Sequence, residues 1–216
     1  MELVYVSVLE AEFCGFESHP GHQIRGYSMA ITNLWATPVL ETMTDLDGKK
    51  ILSEIEVNPD WKTDWAHGTL TGELLRLHDA FRDSAYAVLN ETELAGEQLF
   101  CPGVGFEKHV FGNSMELHYH AYAVVVCVFY PDANEDSGDL VLVDPRGSHL
   151  FHKLDFSKSS IKIKPCSNKL VAFPGHIMHE VKSNFTEFPR WCIATTWYIG
   201  RQEDYIRYML QQKEST

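Results

Sequence analysis

From residue 106 to residue 199 the chain is cut into short runs rich in β-branched and aromatic residues. This punctuation constrains the fold more than any other feature. The runs are Phe106–Phe111, Met115–His120, Ala123–Tyr130, Asp139–Val143, Ser160–Ile163, Leu170–Phe173, Met178–Lys182 and Trp191–Ile199. Turn residues separate them: Pro131-Asp132-Ala133-Asn134, Ser137-Gly138, Asp144-Pro145-Arg146-Gly147 and Pro174-Gly175. Such residues tolerate tight backbone turns or lack the N–H that would continue a ladder. Eight short strands after a helical preface predict a mostly β sandwich or barrel, with helices packed outside one sheet.

The preface reads as mixed. Glu73–Leu89 is the clearest helix, because Leu74, Leu77, Phe81, Ala85 and Val88 recur at three- and four-residue spacing. Thr71 is its expected N-cap and Asn90 lies near its end. Lys49–Val57 predicts a shorter helix, and Leu3–Val8 and Trp35–Leu40 predict strands. A further amphipathic stretch runs from Glu203 to about Gln212, with Ile206, Met209 and Leu210 apolar. The segment before Met29 is polar and is either an extension or part of the core. No repeat or linker divides the chain. One domain over 1–216 is expected, with a β core at roughly 105–199 supported by strands and helices of 1–104.

Composition narrows the function. Thirty acidic against 18 basic residues give a formal charge of −12. That surface repels phosphate backbones and anionic lipid, which argues against nucleic-acid and membrane partners. The longest apolar run, Ala121 to Tyr130, is about half a bilayer span. Glu2 and Glu10 and the absence of a basic residue before Arg25 do not look like a signal peptide. Five scattered cysteines (Cys14, Cys101, Cys127, Cys166, Cys192) without a Cys-x-x-Cys read as reduced thiols, so a cytoplasmic protein is expected.

The chemistry-bearing residues lie in the β-rich part. His118-Tyr119-His120 falls in a run read as β, where a period of two sends both imidazoles to one face. Two readings stand: a pair of solvated surface histidines, or two nitrogens sharing one metal ion. Farther on, Phe173-Pro174-Gly175-His176-Ile177-Met178-His179 reads as a strand, a turn and a new strand. His179 is the candidate distant third ligand, and His176, nearer the turn, is read as exposed. In the last run Arg190, Cys192, Ala194 and Thr196 share one face, and Trp191, Ile193, Thr195 and Trp197 the other. The bulky face suits burial under helices. The small one leaves room for a ligand, with Arg190 a ready partner for a carboxylate; otherwise Arg190 pairs with a surface acid such as Glu187.

Taken in order, His118-x-His120, Tyr130, Gly138-Asp139-Leu140, Asp144-Pro145-Arg146, Phe173-Pro174-Gly175 with His179, and Arg190 resemble the Fe(II)/2-oxoglutarate-dependent oxygenases. The resemblance is nearest to a bacterial and phage group in the prolyl-hydroxylase-like set. It covers roughly Phe111 to Ile199, and Leu34–Val39 is similar to that group's N-terminal strand. It implies a double-stranded β-helix (a cupin-like jelly roll) with Fe(II) and 2-oxoglutarate as cofactors. His118, His120 and His179 would be the metal ligands and Arg190 the partner of the distal carboxylate. The implied reaction hydroxylates a small-molecule or peptidyl substrate while 2-oxoglutarate is decarboxylated to succinate. Two departures stand out. His120 occupies the place where most of the superfamily has Asp, so three neutral ligands replace two His and a carboxylate. Cys192 stands where Ser or Thr is frequent.

A second reading shares the barrel. Gly112 followed after five residues by His118-x-His120, then His179 with Asn184, is similar to a cupin, which implies a metal- or small-ligand-binding protein without turnover. A cupin would place Glu four or five residues after the second His, where Val124 and Val125 stand. Other features carry less. Gly103-Val104-Gly105 lacks the flanks of a dinucleotide loop, and Cys127 reads as a buried thiol. Asn184-Phe185-Thr186 is a glycosylation signal only in a secreted chain. Asp47, Glu135 and Asp136 read as solvated loop charges.

Overall fold

The structure is a computed structural model that describes residues 37–145 and 160–201. The expected strand Leu3–Val8, the polar segment before Met29, Trp35, Arg146 and the helix at Glu203–Gln212 lie outside the described residues.

Strand β5 (Val125–Asp132) is nearly all apolar because both of its faces are covered. Val125, Cys127 and Phe129 join a core shared with helices, while Val126 and Tyr130 join a second core. β8 (Lys169–Pro174) alternates in the same way, with Leu170 and Ala172 toward the helices and Val171 and Phe173 on the other side. Period-two geometry explains both patterns.

These strands are central in a sheet of order β1-β8-β5-β10-β2, with β1 at Leu40–Met43, β2 at Leu99–Phe100 and β10 at Arg190–Ile199. β3 (Val104–His109) also pairs with β10. A second sheet has the order β4-β9-β6-β7, from β4 (Met115–His118), β9 (His179–Val181), β6 (Leu140–Val143) and β7 (Ser160–Ile163). All pairings are antiparallel. The second core, with Leu140, Leu142, Ile163 and Ile177, includes residues of both sheets, and the architecture is a jelly roll.

Helices α1 (Gly48–Val57), α2 (Trp61–His67) and α3 (Gly72–Leu89) cover the outer face of the larger sheet. The expected α3 stripe is buried: Leu74, Leu77, Phe81, Ala85 and Val88 are all at or below 3% exposure. Thr71 is the N-cap residue, but its side chain makes no capping bond. The Glu54 carboxylate of α1 instead accepts the N–H groups of Glu73 and Leu74, at 3.1 and 3.0 Å. Asp47, expected as a loop charge, caps α1 by accepting the Lys50 N–H. The first described strand is Leu40–Met43 rather than Trp35–Leu40, since pairing with β8 from Ala172 to Lys169 sets its position. No described helix is long and apolar enough to cross a membrane.

Candidate metal and carboxylate site

β4 and β9 are neighbours, and their register places His118 opposite His179. The two rings lie 4.2 Å apart between centroids. His120 arrives differently from the strand-spacing expectation. β4 ends at His118, so His120 sits in the following loop. The His120 N–H donates to the Gly175 carbonyl at 3.1 Å, and the Gly175 N–H donates to Val124. Gly175 lies so close to the Ala123 backbone that a Cβ would collide with it. This contact seats His120 with its ring centroid 5.3 Å from both His118 and His179. The three candidate ligand atoms lie within 4.8 Å of one another.

The hydrogen bonding of these imidazoles suits a cation. His118 Nδ1 bonds the Glu116 carbonyl at 2.7 Å, and His179 Nδ1 bonds that of Ile177 at 2.8 Å. A carbonyl only accepts, so each Nδ1 carries a proton, and in the neutral ring Nε2 is the nitrogen left with the lone pair. Burial, with His118 and His120 adding to it against the Ile177 bond, holds His179 down to about 4. Burial and then His118 also lower His120. Three imidazoles whose candidate nitrogens lie a few ångströms apart are a donor set that suits a divalent transition metal. His176 is exposed, as expected.

The cavity these histidines line has a volume of about 450 Å³ and extends along β10 past Thr196, Ala194 and Cys192 to Arg190. Its floor follows the predicted alternation of β10. Ile193 and Trp197 face the helices, while Cys192 and Ala194 are half-buried at the cavity. Trp191 departs from that expectation: it is half-buried and stacks on Phe106 at 5.2 Å.

Arg190 is 1% exposed and does not pair with Glu187. Its Nη1 donates to the carbonyls of Ser137 and Gly138, at 2.6 and 2.5 Å. Gly138 has φ +98° and packs against the Lys182 backbone, so a side chain is disfavoured twice over at this anchor. Arg190 Nη2 is buried and has no partner among the described residues. Burial lowers the guanidinium's pKa, yet arginine keeps its charge in proteins. A buried, half-satisfied cation lining a cavity fits an anionic guest.

Glu107 and His109 also line the cavity, and nothing in the order of residues singles them out. They become neighbours of Cys192 and Arg190 through the β3–β10 register alone. The available signal was their period-two spacing on a strand beside β10. Neither Val124 nor Val125 supplies the fourth ligand of the cupin reading, and Val125 is buried in the helix-side core. Cys127 is fully buried, with its thiol pKa raised by burial, and Asn184 is fully buried, which excludes it as a glycan acceptor.

Residues 109–196 match the family model described as "Putative 2OG-Fe(II) oxygenase". No curated protein matches the sequence. Among solved structures, a prolyl-4-hydroxylase from Pseudomonas putida has a TM-score of 0.52 at 16% identity, over 76% of this chain and 88% of that one. HygX from Streptomyces hygroscopicus, with iron bound, has a TM-score of 0.51 at 12% identity, over 75% and 82%. An oxidoreductase of the 2OG-Fe(II) oxygenase family from Burkholderia pseudomallei has a TM-score of 0.44 at 11% identity, over 59% and 58%. The chain therefore spans less than two thirds of that last protein. At these identities the likeness is one of fold, and it agrees with the resemblance to the 2OG-Fe(II) oxygenases read from the β-rich segment.

Proposed function

We propose that this chain is an Fe(II)- and 2-oxoglutarate-dependent dioxygenase that hydroxylates a small-molecule or peptidyl substrate. One observation carries the reading: a single cavity joins three converging imidazoles to a buried guanidinium with a nitrogen unpartnered among the described residues.

In this reading His118, His120 and His179 hold the iron and Arg190 holds the distal carboxylate of 2-oxoglutarate. Bound iron with its 2-oxo acid supplies oxygen activation coupled to decarboxylation. The protein's own work is placement. The Glu116 and Ile177 carbonyls fix the tautomer and ring orientation of two ligands. Ser137 and Gly138 fix Arg190, so the guanidinium's remaining donors need little reorganisation to meet a carboxylate. Val126, Val128 and Leu140 line the space between, which keeps it apolar. Three neutral ligands leave the metal site one charge more positive than two His and a carboxylate would.

Calorimetric titration of the Mn(II)-loaded protein with 2-oxoglutarate tests the assignment. Removing a buried charged partner typically costs about 2–5 kcal/mol, so Arg190→Ala should weaken binding at least roughly tenfold. Arg190→Lys should weaken it less, because a point charge replaces the fork. Metal content should not change in either variant. A parent protein that takes up metal but not 2-oxoglutarate contradicts the reading.

A further inference from the structure

The arginine end of the cavity holds polar side chains that the reading above leaves unused. In the β3–β10 register Glu107 stands opposite Cys192, and His109 opposite Arg190. His109 is 5% exposed, its Nε2 lies 2.8 Å from Glu107 Oε2, and its Nδ1 is buried without a partner among the described residues. Arg190 Nη2 is in the same condition. Two directly paired residues thus each keep one buried nitrogen unsatisfied, which is costly unless a guest completes them.

Glu107, His109 and Cys192 also bring their polar atoms within 4.8 Å of one another, a spacing that suits a cation. Charge argues against one. Arg190 places a permanent positive charge beside the group. Burial first, and then Glu107, push the Cys192 thiol up to about 12, so it offers no thiolate near neutral pH. An anion is what this end lacks.

We propose that His109, held by Glu107, is a second binding group for the distal carboxylate of 2-oxoglutarate, beside Arg190. The proposal rests on the reading of Arg190 given above. A carboxylate only accepts hydrogen bonds, so Nδ1 must carry a proton when it is bound. The Nε2–Oε2 bond holds another. The His109–Glu107 pair therefore carries one proton more than a neutral imidazole beside an ionised Glu107. Charge counting agrees: a guest carboxylate with Arg190 and ionised Glu107 leaves one negative charge over, which the added proton cancels. Arg190 and Cys192 on β10 and Tyr130 on β5 also line this end of the cavity, and Asp139 and Glu41 act on Tyr130 through their charge. Burial raises the thiol and the phenol alike, so neither supplies an anion that would compete with the guest for Arg190. His118 on β4 and His179 on β9 stand at the metal end.

The test titrates Mn(II)-loaded protein with 2-oxoglutarate and with 2-oxobutanoate, which lacks the distal carboxylate. The parent should bind 2-oxoglutarate more tightly than 2-oxobutanoate. His109→Leu should weaken 2-oxoglutarate binding by roughly tenfold and leave 2-oxobutanoate unchanged. In Glu107→Gln the amide donates to Nε2 and fixes the proton on Nδ1, so 2-oxoglutarate binding should persist. Undiminished 2-oxoglutarate binding in His109→Leu overturns the proposal, as does an equal loss for both acids, which marks a merely structural role. Failure of the underlying reading looks different: the parent does not bind 2-oxoglutarate, or Arg190→Ala binds it as tightly as the parent, whatever His109 does.

Discussion

His118 and His179 stand opposite each other across the β4–β9 ladder, and each bonds through Nδ1 to the carbonyl two residues before it in the chain. Two strands from distant parts of the sequence thus present the same tautomer to the same point. His118→Ala, His120→Ala and His179→Ala should each remove most of the metal that the parent retains through gel filtration, because a two-ligand remnant binds far more weakly. Elemental analysis checks this. Full retention in His120→Ala would remove that residue from the set.

Acid should destabilise the metal-free protein through His179. His179 sits at about 4 when folded against an ordinary value of 6.5. Between those values the unfolded chain binds the extra proton and the folded one does not, so stability falls as pH drops through that window. From pH 7 to pH 5 the loss assigned to His179 is on the order of 2 kcal/mol. Urea denaturation of the metal-free protein at both values checks it, with His179→Asn as the non-titrating control. Equal slopes in parent and control would contradict the assignment.

His120→Asp should remain folded, since the side chain is smaller and only half-buried in a loop. It restores the two-His, one-carboxylate set and lowers the charge at the metal by one. Iron should be retained, and 2-oxoglutarate consumption without substrate should change measurably. Identical iron content and consumption in both forms would mean that His120 is not a ligand.

Glu54 joins two helices that support the sheet, far from the proposed chemistry. Glu54→Ala leaves the Glu73 and Leu74 N–H groups without their acceptor and removes a negative charge from the α3 N-terminus. A loss of about 1 kcal/mol is expected. It should read as a lower Tm with unchanged metal content, whereas an unchanged Tm would mean that solvent caps α3 equally well.

Much of this was legible in the residues because burial on both faces writes itself into a strand. The β5 and β8 runs had to be apolar throughout, and the alternation of β10 separated Arg190 and Cys192 from Ile193 and Trp197. His118 and His179, singled out by their motif neighbours, do converge. His120 joins them for another reason than the one expected, since a loop hydrogen bond to Gly175, and not strand geometry, brings it in. Helix α2 was not anticipated, because seven residues are too few for a period to show. Trp61 and Trp65, four apart, with Gly68 closing at φ +70°, were its available signal. Glu107 and His109 gained meaning only from pairing across 80 residues of sequence, which no local pattern encodes.

The most direct test of the central claim is succinate formation by the purified protein with Fe(II), 2-oxoglutarate, ascorbate and oxygen. The account predicts slow succinate release without added substrate, dependent on iron and oxygen. It should be abolished in His179→Ala and sharply reduced in Arg190→Ala at subsaturating 2-oxoglutarate. A parent protein that carries stoichiometric iron, binds 2-oxoglutarate and still releases no succinate, alone or with a broad panel of small-molecule and peptide substrates, would contradict it.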